Sequence, residues 1–221
     1  MHKMTKRYLI GIGGGSGAGT TTAAYEAVKR LRDTNEEFLS KPSVEVFPLD
    51  MFYHDQSHLS LEDRALENYD HPNATSWGEV RKSIALLLRG EPALIPRYNF
   101  KTHTRDAGFT ILQPSDVIIL EGNLALFDPQ ILRRVDAKIY LWADKETCLE
   151  RRIARDKIER KRSRKSVIKQ WNDTVYPMFE QFVSPTKKLA DAKIQWEGQL
   201  AYLSERLFCE LLTLWPRSPY P

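Results

Sequence analysis

Runs of consecutive apolar residues alternate along this chain with segments in which apolar positions recur every three or four residues. The apolar runs predict buried strands, and they lie at 8–14, 44–50, the run that ends at Glu121, 136–144 and 192–196. The helical periodicity predicts helices over 20–32, 76–90, 145–161, 170–182 and 198–214. Two extended pieces around a polar turn predict a β-hairpin at about 93–113.

The order of these elements predicts an α/β fold. Strands that are apolar on both faces and alternate with helices are typical of a mostly parallel sheet flanked by helices. The length of 221 residues is that of one domain, and we expect a single domain over 1–221. We expect the hairpin to be an antiparallel insertion and the Pro-rich end, 215–221, to be frayed.

The composition changes this picture little. Apolar residues make up 42% of the chain and charged residues 28%, as in an ordinary globular protein. Cys148 and Cys209 lie far apart and lack the spacing of a metal site, which favours a reducing compartment. The sequence shows neither a signal peptide nor an apolar run of membrane-spanning length. We therefore expect a cytoplasmic protein with no membrane partner.

Basic residues are distributed unevenly, although the net charge is only +4. The segment ERRIARDKIERKRSRK (150–165) is dense in Lys and Arg, which predicts a surface that faces an anion. Phosphate and nucleic acid both fit that description. Because no nucleic-acid-binding motif accompanies the segment, we favour phosphate and expect no nucleic-acid partner.

The candidate chemistry begins in the glycine-rich segment GIGGGSGAGTTTAA (11–24), between the first strand and the first helix. A phosphate-binding loop has the pattern G-x-x-x-x-G-K-[ST], whose backbone N–H groups and helix N-terminus hold phosphate oxygens. Residues 14–21 match it except that Thr20 stands in the lysine position, and Thr21 occupies the Mg²⁺-binding position. The predicted nucleotide-binding residues are Gly14, Gly15, Ser16, Gly17, Ala18, Gly19, Thr20, Thr21 and Thr22.

Two other interpretations of this loop are open. Gly13, Gly15 and Ala18 fit the looser dinucleotide pattern G-x-G-x-x-[GA], which needs an acidic residue at the end of the second strand, about 20 residues on. Asp33 has about that spacing, but it falls in the first helix, and the second strand ends later, at Asp50. The other alternative is a strand–helix turn without a ligand, which would not need so many glycines.

Motifs between about residue 8 and residue 212 resemble the uridine–cytidine kinase family, within the phosphoribulokinase/uridine kinase group. They are PLDMFYHD (48–55), NYDHPNATSW (68–77), IPRYNFKTHTR (95–105), VIILEGNLALF (117–127), RRIARDKIERKRS (151–163) and SPTKKLADAKI (184–194). The resemblance implies a P-loop kinase that transfers the γ-phosphate of ATP to the 5′-hydroxyl of uridine or cytidine, with Mg²⁺. It also implies a homo-oligomer, in the form of a tetramer.

The resemblance also implies catalytic and metal-binding roles. Asp50 would orient and deprotonate the 5′-hydroxyl, and Thr21 and Glu121 would support Mg²⁺. Without the resemblance, Asp50 would be interpreted as a cap or turn aspartate, and Glu121 as a carboxylate paired with an arginine. A basic lid at about 156–168 would close over the phosphates, and its catalytic cations would be Arg155, Arg160 and Arg162.

The nucleoside-binding residues follow from the same resemblance. Asp70 corresponds to the family aspartate that accepts hydrogen bonds from the ribose hydroxyls. Tyr98 and Phe100 would pack around the pyrimidine, and His103 would bind its polar edge. Tyr53 and Tyr69 would complete the pocket wall or belong to the core. Arg152 and Gln170 match family positions near the nucleoside, and Asn123 stands there in place of an expected apolar residue.

Thr20 is the main departure from the family pattern, because a neutral hydroxyl cannot supply the charge of an ammonium group at the β- and γ-phosphates. Three interpretations follow. A nearby cation (Arg162, Arg164 or Lys165) replaces the lysine, or the protein is a nucleotide-binding regulator without turnover, or it is a divergent kinase with another donor or acceptor. The other predicted site residues keep suitable chemistry, which favours a working nucleoside kinase.

Overall fold

A five-stranded sheet forms the centre of the computed structural model, which describes residues 6–33 and 42–214. All neighbouring strands are parallel, in the order β2–β5–β1–β6–β7. These strands are β1 (Tyr8–Gly14), β2 (Val44–Pro48), β5 (Val117–Glu121), β6 (Ala137–Trp142) and β7 (Ala192–Gln195). β3 (Ala93–Asn99) and β4 (Thr104–Leu112) form a separate antiparallel hairpin. The predicted α/β fold and its hairpin are confirmed.

Helices cover both faces of the sheet. The longest are α1 (Thr20–Asp33), α3 (Trp77–Arg89), α5 (Lys145–Glu159) and α8 (Leu200–Leu214), and α2 (Leu61–Leu66) and α4 (Pro129–Leu132) are short. After α5, helical turns run from α6 (Arg164–Gln170) through α7 (Tyr176–Met178), with wider turns at Trp171–Val175 and Phe179–Val183 and a 3₁₀ turn at Ser184–Leu189. The predicted helix at 170–182 is therefore part of a longer helical segment.

Apolar side chains on both faces of each strand explain why the sheet is buried. In β5, Leu120 lies in the core layer that contains Ile84 of α3. Its neighbour Ile119 lies in the opposite layer, with Ala27 of α1 and Leu207 of α8. Such two-sided burial is typical of parallel strands, whose carboxyl ends meet at one edge of the sheet.

Two predicted boundaries differ from the structure in ways that bear on the site. The second strand ends at Pro48, and Leu49–Phe52 forms a 3₁₀ turn, so Asp50 lies beyond the strand. Proline has no N–H to continue the strand pairing, which explains the early end. The final helix begins at Leu200, and the segment predicted to be frayed, 215–221, lies outside the described residues. Among the described helices, none is long and apolar enough to cross a membrane.

Candidate active site

The glycine-rich loop joins β1 to α1 at the carboxyl edge of the sheet. Gly17 and Gly19 have φ values of +83° and +98°, which side-chain-bearing residues rarely adopt. A Cβ atom would lie 2.2 Å from the carbonyl oxygen of Cys148 at Gly17, and 2.1 Å from the Trp196 ring at Gly19. The loop is therefore packed tightly between α5 and the residues that follow β7, with the N-terminus of α1 directly behind it.

Glu121 ends β5 next to this loop. Thr20 Oγ1 and Thr21 Oγ1 donate hydrogen bonds to the same carboxylate oxygen, Oε2 of Glu121, at 3.1 Å and 3.0 Å. Burial, followed by the charge of Asp50, raises the pKa of Glu121 to about 7, while the two threonine hydrogen bonds act in the opposite direction. Within the described residues Glu121 has no ion-pair partner. The alternative interpretation of Glu121, as a carboxylate paired with an arginine, is therefore not supported.

Asp50 lies in the 3₁₀ turn after β2, next to Gly122 and within reach of the charges of the lid arginines. Burial raises its pKa, the charges of Arg160 and Arg155 lower it, and the charge of Asp70 raises it. Gly122 was not among the predicted site residues, although a Cβ atom there would lie 3.0 Å from Leu49 Cβ and 3.5 Å from Asp50 Oδ1. Gly122 has a φ of +145°, so its lack of a side chain leaves room for the turn that carries Asp50.

Arg152 of α5 connects the phosphate loop to the predicted ribose-binding residue. Its Nη1 donates to Ser16 Oγ at 2.6 Å and lies 4.0 Å from Asp70 Oδ1. Its Nη2 donates to Gln170 Oε1 at 2.9 Å. Arg152 and Asp70 are 4% and 8% exposed, so a guanidinium–carboxylate contact between the two halves of the site is protected from solvent.

Five predicted nucleoside-binding residues form an aromatic cluster around the hairpin. The ring of Tyr53 meets those of Tyr69 and Tyr98 edge-on, at centroid distances of 5.7 Å and 5.3 Å. Tyr69 stacks on His103 at 4.6 Å, and Tyr98 contacts Phe100 at 5.1 Å. Burial, followed by the charges of Arg160, Arg162 and Arg64, lowers the pKa of His103, so its imidazole is neutral at pH 7 and offers one donor and one acceptor.

The lid arginines converge on one carboxylate that sequence reasoning missed. Asp156 is fully buried, and its oxygens lie 2.8 Å from Arg155, 3.5 Å from Arg162, 3.6 Å from Arg160 and 3.8 Å from Arg152. Burial alone would raise the pKa of Asp156, but these guanidinium groups hold it below its ordinary value. The arginines are thus fixed in place before any phosphate binds.

The candidate replacements for the missing lysine occupy different environments. Arg164 pairs with Glu150 at the exposed surface, and Lys165 is also exposed. Arg162 donates to Gln170 and Ser166 as well as to Asp156. Arg160 and Arg155 are instead the cations that act on Asp50.

Two further arginines anchor the hairpin, and neither was among the predicted site residues. Arg105 donates from its backbone N–H to Asp55 Oδ1 at 2.9 Å and from Nε to the carbonyl oxygen of Tyr53 at 2.9 Å. Arg64 donates from Nη1 to the carbonyl oxygen of Thr102, next to His103. These bonds hold the aromatic cluster against the Asp50 turn. The sequence feature that could have identified Arg105 is its position in the family-like motif 95–105.

The remaining predicted residues lie at the margins of the cleft. Thr22 is exposed in the first turn of α1, and Asn123 is partly buried directly after Gly122. The dinucleotide alternative finds no support, because Asp33 ends α1 and β2 ends at Pro48. A parallel sheet with a glycine loop, buried carboxylates at its edge and an arginine lid defines a P-loop phosphotransferase.

The comparison with known proteins narrows this class. The profile of the Phosphoribulokinase / Uridine kinase family matches residues 9–200, and the chain belongs to this family. A uridine kinase from Halobacterium salinarum is 42% identical over 184 residues, which cover 83% of this chain and 78% of that protein. A uridine kinase from Vibrio vulnificus is 38% identical over 199 residues, or 90% and 92% of the two chains.

Solved structures support the fold. A possible uridine kinase from Bacillus stearothermophilus superposes with a TM-score of 0.58 at 19% identity, over 87% of this chain and 90% of that one. Shikimate kinase from Bacteroides thetaiotaomicron gives a TM-score of 0.53 at 14% identity, over 93% and 98%. This chain therefore shares its fold with these two solved structures.

Proposed function

We propose that this protein is a nucleoside kinase that transfers the γ-phosphate of ATP to the 5′-hydroxyl of uridine or cytidine. Relatives of 38–42% identity over most of the chain carry the name uridine kinase, which supports the acceptor class. On the resemblance alone, the proposal includes a role in pyrimidine salvage, a cytoplasmic location and a homo-oligomeric, tetrameric state.

The observation that carries the proposal is the position of Arg152 between Ser16 and Asp70. A kinase must hold its phosphate donor and its hydroxyl acceptor within bonding distance of each other. Ser16 belongs to the phosphate loop, and Asp70 would accept hydrogen bonds from the two ribose hydroxyls. One buried guanidinium that reaches both groups supports adjacent binding sites for the donor and the acceptor.

Asp50 is the group that would prepare the acceptor. Burial raises its pKa towards the working pH, where a carboxylate is a more effective base for a hydroxyl proton. Arg155 and Arg160 act on Asp50 from the lid side. The same guanidinium groups would then stabilise the charge on the transferred phosphoryl group.

The oxygen atoms at the end of β5 fit a magnesium ion. Thr21 Oγ1 and Glu121 Oε2 approach to 3.0 Å, and the described residues contain no cluster of three or more His, Cys, Asp or Glu side chains. Two protein ligands, with water and phosphate oxygens for the rest, are typical of Mg²⁺ in phosphotransferases. Mg²⁺ held there would neutralise charge on the β- and γ-phosphates.

The aromatic cluster of Tyr53, Tyr69, Tyr98, Phe100 and His103 would bind the pyrimidine. Aromatic rings provide flat apolar surfaces for a base. The neutral imidazole of His103 would exchange hydrogen bonds with its polar edge. Asn123 lies beyond Gly122 and would add one more hydrogen-bonding group.

The proposal is tested by the formation of nucleoside monophosphate from ATP, Mg²⁺ and uridine or cytidine with purified protein. Asp50→Asn keeps the shape of the side chain but removes the base, so we expect a loss of about 10²–10⁴-fold in kcat. Glu62→Gln, an exposed carboxylate on α2, is the matched control and should retain the wild-type rate. A rate that Asp50→Asn leaves unchanged would contradict the assigned role.

The position of Thr20 favours one alternative, a nucleotide-binding regulator without turnover. Its hydroxyl is bound to Glu121 and adds no charge to the loop. If wild type yields no monophosphate while Thr20→Lys does, the pocket is intact and the regulatory function is preferred.

A further inference from the structure

Three side-chain oxygens meet where the phosphate loop touches the end of β5. Thr20 Oγ1 and Thr21 Oγ1 lie 3.1 Å and 3.0 Å from one carboxylate oxygen of Glu121. Thr20 therefore turns its hydroxyl towards the same oxygen as the predicted magnesium ligand Thr21. Hydroxyl and carboxylate oxygens are the ligands that hard cations prefer.

The same corner lacks a positive charge. Glu121 is 5% exposed, and across residues 6–33 and 42–214 it has no ion pair with a basic side chain. The charge of Asp50, a second carboxylate, raises the pKa of Glu121 further. A buried carboxylate without a counter-charge is unfavourable, and a bound nucleotide would add the negative charge of its phosphates. Mg²⁺ held by Thr21 and Glu121 would offset part of this charge, but the charge that a P-loop lysine supplies in addition to Mg²⁺ would still be missing.

The lid arginines do not correct this imbalance. Arg155 and Arg160 act on Asp50, and they are held by the buried carboxylate of Asp156. In the part of the chain that the structure describes, the ion-pair partner of Arg155 and Arg160 is Asp156 and not Glu121. Positive charge is therefore lacking on the Glu121 side of the cleft, where the loop residue is the neutral Thr20.

We propose that a monovalent cation similar in size to ammonium, with K⁺ as the probe, binds at Thr20, Thr21 and Glu121 and replaces the charge of the P-loop lysine. This inference rests on the proposed function, because the charge is needed when phosphates bind in the loop. Thr20 is the ligand that a lysine would not provide. Protein and phosphate oxygens would replace the water around K⁺. Thr21 and Glu121 would also hold the Mg²⁺ that offsets the charge of the phosphates.

The experiment compares wild type, Thr20→Lys and Thr20→Val in KCl, NaCl and tetramethylammonium chloride at one ionic strength, with saturating Mg²⁺. Tetramethylammonium is too large for the site and keeps electrostatic screening constant. Thr213→Lys, which adds the same charge to an exposed position on α8, is the control for net charge. Two quantities are measured: the rate of uridine monophosphate formation, and the affinity for a non-hydrolysable ATP analogue.

We expect wild type and Thr213→Lys to lose at least about tenfold in rate and in analogue affinity when K⁺ is replaced by tetramethylammonium, since a cation at the phosphates has effects of this size or larger. Thr20→Lys should be insensitive to the salt, and Thr20→Val should bind the analogue weakly in every salt. Equal wild-type affinity in KCl and tetramethylammonium chloride would overturn the inference and leave the proposed function untouched. Absence of turnover in every salt would overturn the proposed function, and the analogue affinities would still decide the cation site.

Discussion

Replacing Asp156 by asparagine tests whether this carboxylate holds the lid together. The substitution keeps the size of the side chain and removes the charge that four guanidinium groups share, at 2.8–3.8 Å. Removal of one partner from a buried ion pair costs about 3–5 kcal/mol. Because Arg155 and Arg162 are 34% and 23% exposed, solvent screens part of the effect, and we expect about 3 kcal/mol.

A loss of this size is readily measured. For a domain of about 200 residues, 1 kcal/mol shifts the melting temperature by about 2–4 °C, so Asp156→Asn should melt about 6–12 °C lower. kcat should fall as well, because Arg155 and Arg160 lose the partner that fixes them. Glu150→Gln is the matched control, since Glu150 pairs with Arg164 on the exposed surface, and its melting temperature should not change measurably.

The pH dependence gives an independent check. The pKa of Asp156 is lowered from its ordinary value of 3.8 in the folded protein. Its stabilising contribution is therefore complete above pH 3.8 and is lost as the pH falls through the lower, folded-state pKa. The melting curves of wild type and Asp156→Asn should converge in acid. A variant that melts within about 2 °C of wild type at pH 7 would refute this account of the lid.

Two further predictions concern the acceptor side of the cleft. Gly122→Ala should lower kcat about tenfold without loss of ATP-analogue affinity, because the strained backbone and the added methyl, 3.0 Å from Leu49 Cβ, shift the turn that carries Asp50. An unchanged kcat in steady-state kinetics would contradict this. The KM for uridine should be constant from pH 6.5 to 8 and rise only in more acidic solution, because burial and the charges of Arg160, Arg162 and Arg64 lower the pKa of His103. His103→Ala should have a raised KM that no longer depends on pH, and a KM that changed most between pH 7 and 8 would count against the role of His103.

Local sequence patterns were sufficient to predict most of the fold. Uninterrupted apolar runs specified the parallel strands, because only a sheet covered on both faces buries such runs. Gly90 ended α3 in a left-handed conformation, as its position after the periodic segment predicted. The end of β2 was misplaced by two residues, since the strand pattern runs on through a proline that ends the pairing.

Residues that act through distant contacts could not be predicted in the same way. Asp156 is one acid among many basic residues in the sequence, and only the turn after α5 brings Arg160 and Arg162 back to it. The importance of Gly122 depends on Leu49, which comes from another strand–turn unit. No periodicity reports such contacts, because each depends on the packing of segments that are far apart in sequence.

The two carboxylates of the cleft, Asp50 and Glu121, differ in how their charges are balanced. This difference determines which cation can replace the lysine charge when threonine occupies position 20. Asp50 is opposed by Arg155 and Arg160. Glu121, among the described residues, accepts hydrogen bonds from two neutral hydroxyl groups and forms no ion pair. Arg155, Arg160 or Arg162 could move towards Glu121 only by leaving Asp156. A small ion from solution requires no such exchange, so the lid can remain assembled while the loop gains its missing charge. The activity of such a kinase would depend on the monovalent cation in solution, whereas that of a kinase with lysine in the loop would not.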